Sequence, residues 1–525
     1  MTTIARSLFL ALAVVILSAC DRMPAQDTSP DSAGDARIKN VIILIGDGMG
    51  PQQMGLLVTY ARHAPRSVYR SSRGKTALER IMEEGTLGYS RIEPADALVT
   101  DSAASSTQMA SGKWAGAQMI GIDQHGNVVK TILEIAQDMG KSTGLVTDTR
   151  ITHATPAGFA AHQTHRSKED KIAENLLEAG VDVMLAGGLK WWIPRDANNK
   201  DSQPHQQLTD LTGGRIKINS RRRDNKNLLE EARAKGYDLC FNRTQLEKAS
   251  ADRVLGLFAH DELMNGIQET RTKGDPGRSI PTLKEMATKA LEVLSRNPNG
   301  FFLMVEAGLI DWAGHDNDTG TLLHEMLKFD ETVALVHAWA QDRQDVVVLV
   351  TADHETGGFG FSYSRFDLPA PRTLPGAAFR GESYQPSKNF GNYRILDAIY
   401  AQKLSYPEIM ERFDALPEDR KTPKALAEII GANTEFPISE AEAAKILGGA
   451  KDETGFYGTG KEFRRNLLAR IVSKRQLTVW STGSHTNTPV PLIAYGPPLV
   501  TSRYGKMMHT TEWGRETIEL LTHGE

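Results

Sequence analysis

Short apolar runs recur along this chain, and each stops at a polar or glycine-rich tail. Val41 to Ile45 leads into Gly46-Asp47-Gly48. "STGLVTDT" ends near Asp148, "VDVMLAGG" at Gly187-Gly188 and "GFFLMVEAG" just past Glu306. "DVVVLVTADH" ends at Asp353-His354, and "PVPLIAYG" at Gly496. Unbroken apolar strands are those buried on both faces, which is the signature of a parallel sheet covered by helices. Segments of helical period such as "TLKEMATKALEVLS" lie between the runs. The pattern predicts an α/β fold: a three-layer sandwich with a central, mostly parallel sheet and helices on both faces. In such sheets ligands bind beyond the carboxyl ends of the strands. Asp47, Glu306, Asp353 and His354 all fall there.

With 525 residues, 40% of them hydrophobic, the chain has ample material for one large core. The strand rhythm lapses between about 359 and 480. Thr422-Pro423 reads there as N-cap and first helical residue, and Ser439 to Glu442 as a capping box. We read this stretch as a long insertion emerging beside the site. Its aromatics (Phe361, Tyr363, Phe390, Tyr393) and internal caps predict an ordered excursion over the site entrance.

Arg6 precedes an apolar stretch from Leu8 to Leu17, too short to span a bilayer and right for a signal-peptide core. Leu17-Ser18-Ala19-Cys20 resembles a bacterial lipoprotein processing box, so residues 1–19 read as a signal peptide and Cys20 as a lipidated first residue. The competing reading is an ordinary signal peptide cleaved after Ala19. Residues 20–37 are rich in Pro, Ser and Asp and read as a disordered tether. Residues 38–520 read as the catalytic domain. Asp21 resembles a signal for retention at the inner membrane, giving a periplasmic, lipid-anchored location. The chain has two cysteines. With Cys20 acylated, Cys240 has no partner for an intramolecular disulfide. The formal net charge of −4 gives no reason to expect nucleic acid or an anionic lipid surface as partner. Arg221-Arg222-Arg223 reads as a solvated patch.

"EAGLIDWAGHDND" sets Glu306, Asp311 and His315 close together, with Asp311 and His315 one helical turn apart. "TADHETGG" adds Asp353 and His354, and "STGSHTNTP" adds His485. Each alone is weak evidence. Together they offer carboxylate and imidazole without thiolate, which suits zinc in an open site with magnesium nearby. Clustered cations need an anionic substrate, and "VTDSAASSTQMASG" places Ser102 just before a helix-like run, where an anion is favoured. By cap preference alone this Asp-Ser pair reads as a helix cap. Beside a metal the same hydroxyl reads as a nucleophile. No G-x-S-x-G elbow surrounds it, so a hydrolase triad is unsupported.

"GDGMG", "VTDSAASSTQMASG", "THATPAG", "VEAGLIDWAGH", "TADHETGG" and "TGSHT" resemble, in order, the successive motifs of the alkaline phosphatase family. The resemblance implies hydrolysis of phosphate monoesters through a phosphoserine at Ser102, with two zinc ions and one magnesium. It implies Asp311, His315 and His485 for one zinc, and Asp47, Asp353, His354 and Ser102 for the other. Asp47, Thr155 and Glu306 are implied for magnesium. Arg166 is implied to grip two phosphoryl oxygens, and a homodimer is implied as the assembly. His153 stands where some bacterial members carry an aspartate near magnesium, and Trp312 where others carry lysine or histidine. Both features resemble the animal and marine-bacterial branch, and the sequence leaves open whether His153 binds magnesium directly, binds it through water, or weakens the site. The rival readings are a related phosphodiesterase, sulfatase or phosphomutase, or a non-catalytic phosphate-capture lipoprotein. A sulfatase-type C-x-P-x-R context is absent at Ser102.

Overall fold

In the computed structural model described here, residues 37–449, 454–457 and 461–523 can be described. The leader, Cys20 and nearly all of the tether lie outside them.

Among the described residues, ten strands form the central sheet. In chain order these are β1 (Asn40–Gly46), β2 (Thr86–Arg91), β3 (Ser142–Arg150), β4 (Val183–Gly187), β5 (Asp238–Cys240), β6 (Val254–Leu257), β7 (Phe301–Ala307), β8 (Val346–Thr351), β9 (Val490–Tyr495) and β10 (Met507–His509). Across the sheet they run β10-β2-β9-β8-β1-β7-β3-β4-β6-β5. From β8 to β5 every pairing is parallel. β9 is antiparallel to both of its neighbours, so its amino end, not its carboxyl end at Gly496, faces the same side as the tails of β1, β7 and β8.

The unbroken apolar runs are explained by cover on both faces. Ile42 and Leu44 of β1 join one buried layer, while Val41, Ile43 and Ile45 join the other. β7 divides likewise, Leu303 and Val305 one way and Phe302 and Met304 the other. Each such side chain contributes roughly 1.5–3 kcal/mol on burial. The helix-like segment "TLKEMATKALEVLS" is the helix Leu283–Leu294, capped by Thr282 through a capping box.

Register levels the strand tails. Ile45 pairs with Glu306 on one side and Thr351 on the other, and Glu306 pairs with Thr147 of β3. The segments carrying Asp47, Glu306 and Asp353 therefore leave the sheet at one height.

Among the described residues the insertion carries five α-helices, Arg394–Tyr400, Tyr406–Asp414, Pro423–Asn433, Glu440–Leu447 and Lys461–Gln476, preceded by loop with one short ladder between Arg372–Thr373 and Ser383–Tyr384. Thr422 and Ser439 are N-caps, the latter in a capping box. Its base is closed by two short antiparallel ladders. Gly360 and Phe361 pair with Val479 and Thr478, and Glu355 and Thr356 pair with Thr486 and His485. Phe361, Tyr363, Phe390 and Tyr393 are exposed and line a groove of about 550 Å³.

The three-arginine run departs from expectation. Arg221 and Arg223 are exposed, but the Arg222 side chain is buried. It pairs with Glu174 and Asp224 and donates to the carbonyls of Asp170 and Trp191. A guanidinium can be buried there because its donors are satisfied.

Candidate active site

Ser102 opens helix α1 (Ser102–Ser111), but it is not the cap. Asp101 takes that role and accepts from the Ala104 amide. This frees the Ser102 hydroxyl, which lies 3.3 Å from His354 Nε2 at the positive end of the helix. Asp101 also accepts from the Gln118 amide at 2.9 Å and from Arg166 Nη1 at 2.9 Å. Burial works against its charge, yet Arg166 and these amides hold its carboxyl below the usual range. Arg166 Nη2 lies 3.1 Å from His153 Nε2. Each terminal nitrogen of Arg166 carries a second N–H, available to a phosphoryl oxygen.

Asp311 and His315 lie on helix α2 (Leu309–His315), with His315 Nε2 3.3 Å from Asp311 Oδ2. His485 Nε2 lies 3.5 Å from Asp311 Oδ1 and 3.2 Å from His315 Nε2. His354 Nε2 lies 3.1 Å from Asp353 Oδ2 and 3.5 Å from Asp47 Oδ1. The turn after β1 approaches α2 closely enough that a Cβ on Gly48 (φ 75°) would lie 2.8 Å from the Asp311 Cα. Glycine is required at that contact.

All three imidazoles are oriented the same way. The Thr356 hydroxyl donates to Asp311 Oδ1 at 2.5 Å, so its oxygen accepts from His354 Nδ1 at 3.2 Å. Nδ1 of His315 faces the Gly483 carbonyl at 2.7 Å, and Nδ1 of His485 faces the Thr100 carbonyl at 3.0 Å. With Nδ1 of each ring so engaged, the three Nε2 atoms converge on Asp311 and Asp353, where a bound cation would take their lone pairs.

The donor set fits divalent cations. Neither oxygen of Asp47 accepts a hydrogen bond, nor do Asp353 Oδ2 and Glu306 Oε1, although all are buried. A buried ion without partners costs several kcal/mol. Burial and the neighbouring Asp353, Asp311 and Glu306 push the Asp47 carboxyl well up. Burial lifts Glu306 to about 7 against the opposing pull of the Thr147 hydroxyl. Burial disfavours charge on His315, yet Asp311 raises it to about 9. Three groups of side chains bring potential ligand atoms within 4.8 Å of one another: Asp311, His315 and His485; Asp47, Asp311 and His354; and Asp47, His153 and Glu306. Thr155 is buried, with an unpartnered hydroxyl.

The candidate catalytic and metal-ligating residues thus fall in one region at the strand tails. The supporting residues were not singled out: Thr356, Asp101, Thr147 (donating to Glu306 at 2.5 Å) and Asp148, which accepts from Gly308 N and pairs with buried Lys328. Thr356 and Asp101 do lie within the motifs "TADHETGG" and "VTDSAASS". A cavity of about 630 Å³ opens beside His315 and Trp312 and is walled on its far side by Ser405, Glu411 and Arg465 of the insertion.

The family model for alkaline phosphatase matches residues 38–502. Alkaline phosphatase 3 of Bacillus subtilis is 32% identical over 93% of this chain and 89% of its own length. The repressible alkaline phosphatase of Saccharomyces cerevisiae is 34% identical over 92% of this chain and 80% of its own. The solved alkaline phosphatase of Thermus thermophilus superposes with a TM-score of 0.73 at 27% identity, covering 92% of this chain and 91% of the other.

Proposed function

Since the chain belongs to the alkaline phosphatase family and is a metal-dependent phosphomonoesterase, we propose that it works through a phosphoserine at Ser102, with two zinc ions and one magnesium. Asp311, His315 and His485 would hold one zinc. Asp47, Asp353, His354 and the Ser102 hydroxyl would hold the second, and Asp47, Thr155 and Glu306, with His153 beside them, the magnesium. Bound there, these ions supply Lewis acidity that lowers the pKa of a hydroxyl or water and offsets phosphoryl charge. The observation that carries the reading is the free Ser102 hydroxyl at the helix start, facing His354 Nε2 at 3.3 Å, among buried carboxylate oxygens that accept no hydrogen bond.

The chain's own part follows from that placement. Ser102 Oγ gives up its proton to solvent and attacks phosphorus; the Oγ–P bond forms as the P–O ester bond breaks, and the departing oxygen takes up a proton to become the alcohol. Water then gives up a proton and attacks the phosphoserine, the Oγ–P bond breaks, and Ser102 Oγ regains a proton as inorganic phosphate is released. Arg166, aimed by Asp101, presents its planar fork to two phosphoryl oxygens. The amino end of α1 adds its partial positive charge.

Turnover of a simple aryl phosphate and of its bis-aryl diester by protein of measured metal content tests this. Faster monoester turnover is expected. A preference for the diester would overturn it.

The leader and the Leu-Ser-Ala-Cys box support export to the periplasm with a lipid on Cys20. Cys20→Ala should then move the protein out of the membrane fraction. A homodimer built through the insertion is part of the same proposal, tested by the solution mass.

A further inference from the structure

Asn466 lies on an insertion helix remote in sequence from the site, yet it is fully buried. It sits in α3 (Lys461–Gln476), whose Leu468, Ala469 and Val472 share a buried cluster with the other insertion helices. Its side-chain nitrogen donates to the His315 carbonyl at 2.8 Å and to Asn317 Oδ1 at 2.8 Å. Both partners are acceptors, so the amide orientation is forced. Asn317 in turn donates to the carbonyls of Gly314 and Thr482, each at 2.8 Å. The next carbonyl along, that of Gly483, accepts from His315 Nδ1. A Cβ on Gly483 would lie 3.2 Å from the Asn466 amide, so the loop packs directly on this side chain. The insertion grips the same loop again at Phe456, whose carbonyl accepts from the Gly483 amide at 2.9 Å and from Thr482 Oγ1.

From this chain of contacts we infer that Asn466 is a positioning residue: it holds the end of α2 against the Thr482–His485 loop and so fixes the separation of His315 and His485 and the tautomer of His315. It touches no substrate. The inference rests on reading those two histidines as zinc ligands. Outer partners of metal-bound imidazoles typically carry about 10–100-fold in metal affinity, and two ligands on separate segments depend on whatever sets their spacing.

The test is competitive titration of the apoprotein with zinc against a chromophoric chelator, together with the melting temperature of each apoprotein. Asn466→Asp keeps the shape but removes the donor, and Asn466→Ala serves if the charge prevents folding. Arg464→Ala, which breaks the pairing of the same helix with Asp414, is the control for helix docking, and His315→Ala marks loss of the ligand itself. One zinc should bind about 10–100-fold more weakly in the Asn466 variants. Their apoproteins should melt no lower than that of Arg464→Ala, which should hold zinc like the wild type. Wild-type zinc affinity in both Asn466 variants overturns the inference. So does weakened binding that comes with an apoprotein less stable than the control. Wild-type zinc binding by His315→Ala would instead overturn the ligand reading beneath it.

Discussion

The rings of His354 and His485 stack with centroids 3.5 Å apart, although the whole insertion lies between them in the chain. The two short ladders at the base of the insertion bring this about. His485 pairs in register with Thr356, two residues beyond His354, so the segments bearing both histidines become adjacent strands. An insertion closed this way is held at both ends by the site it separates.

Thr356 is the hinge of that contact, since it donates to Asp311 and accepts from His354. Thr356→Val preserves volume and removes both bonds. Zinc affinity should fall about 10–100-fold, and Thr356→Ser should restore most of it. Chelator competition on the two variants checks this.

Arg166→Lys keeps the charge but loses the fork and its bond to Asp101. Loss of a charge-assisted hydrogen bond worth about 1.5–3 kcal/mol predicts a fall of roughly 10–150-fold in kcat/KM for a monoester. The fall should be smaller for a diester, which offers fewer free oxygens. Parallel kinetics on the two esters decide the point.

Removing metal should lower the melting temperature as well as abolish turnover. Both oxygens of Asp47, Asp353 Oδ2 and Glu306 Oε1 then lose the cation that would offset their burial and mutual repulsion. A site occupied at a thousand times its dissociation constant contributes about 4 kcal/mol. Calorimetry before and after exhaustive chelation, with readdition of zinc and magnesium, measures the effect.

Away from the candidate site, His162 Nε2 meets Glu134 at 3.0 Å. The bond with Glu134 raises the His162 pKa. Burial works against the Glu134 charge, yet His162 and the Thr131 donors hold its pKa down. The raised histidine stabilises the fold below its unfolded pKa of about 6.5 and ceases to do so as pH rises through the folded value. The lowered glutamate stabilises above about 4.3 and ceases to do so as pH falls through its folded value. His162→Gln should therefore cost most between about pH 4.5 and 6.5, up to about 1 kcal/mol for a partly exposed pair. The cost should fade as pH rises through the raised folded value of His162. Denaturant melts at three pH values check the window.

Much of this was legible in the sequence because the signals are local. Val41 to Ile45, the run before Glu306 and the run before Asp353 read as strands buried on both sides, and their polar tails marked the site. What was missed depends on partners far along the chain. Asp238–Cys240 is too short to show a period, and the direction of Val490–Tyr495 is not written in its hydrophobicity. Arg222 looked like its two exposed neighbours because only folding brings Glu174 to it. Thr356 sat inside a quoted motif, but its role needs Asp311, and Asn466 has no local signature at all. Ligands with unusual chemistry announce themselves in sequence, whereas the ordinary residues that orient them do so only in three dimensions.

The central claim is the covalent step at Ser102. Metal-loaded protein incubated with an aryl phosphate at acid pH, quenched, digested and analysed by mass spectrometry tests it directly. The account predicts a phosphorylated peptide carrying the modification on Ser102, none in Ser102→Ala, and turnover by that variant lower by roughly a thousandfold or more with its zinc content and melting temperature nearly unchanged. Phosphate found on another residue, or wild-type turnover by Ser102→Ala, would contradict it.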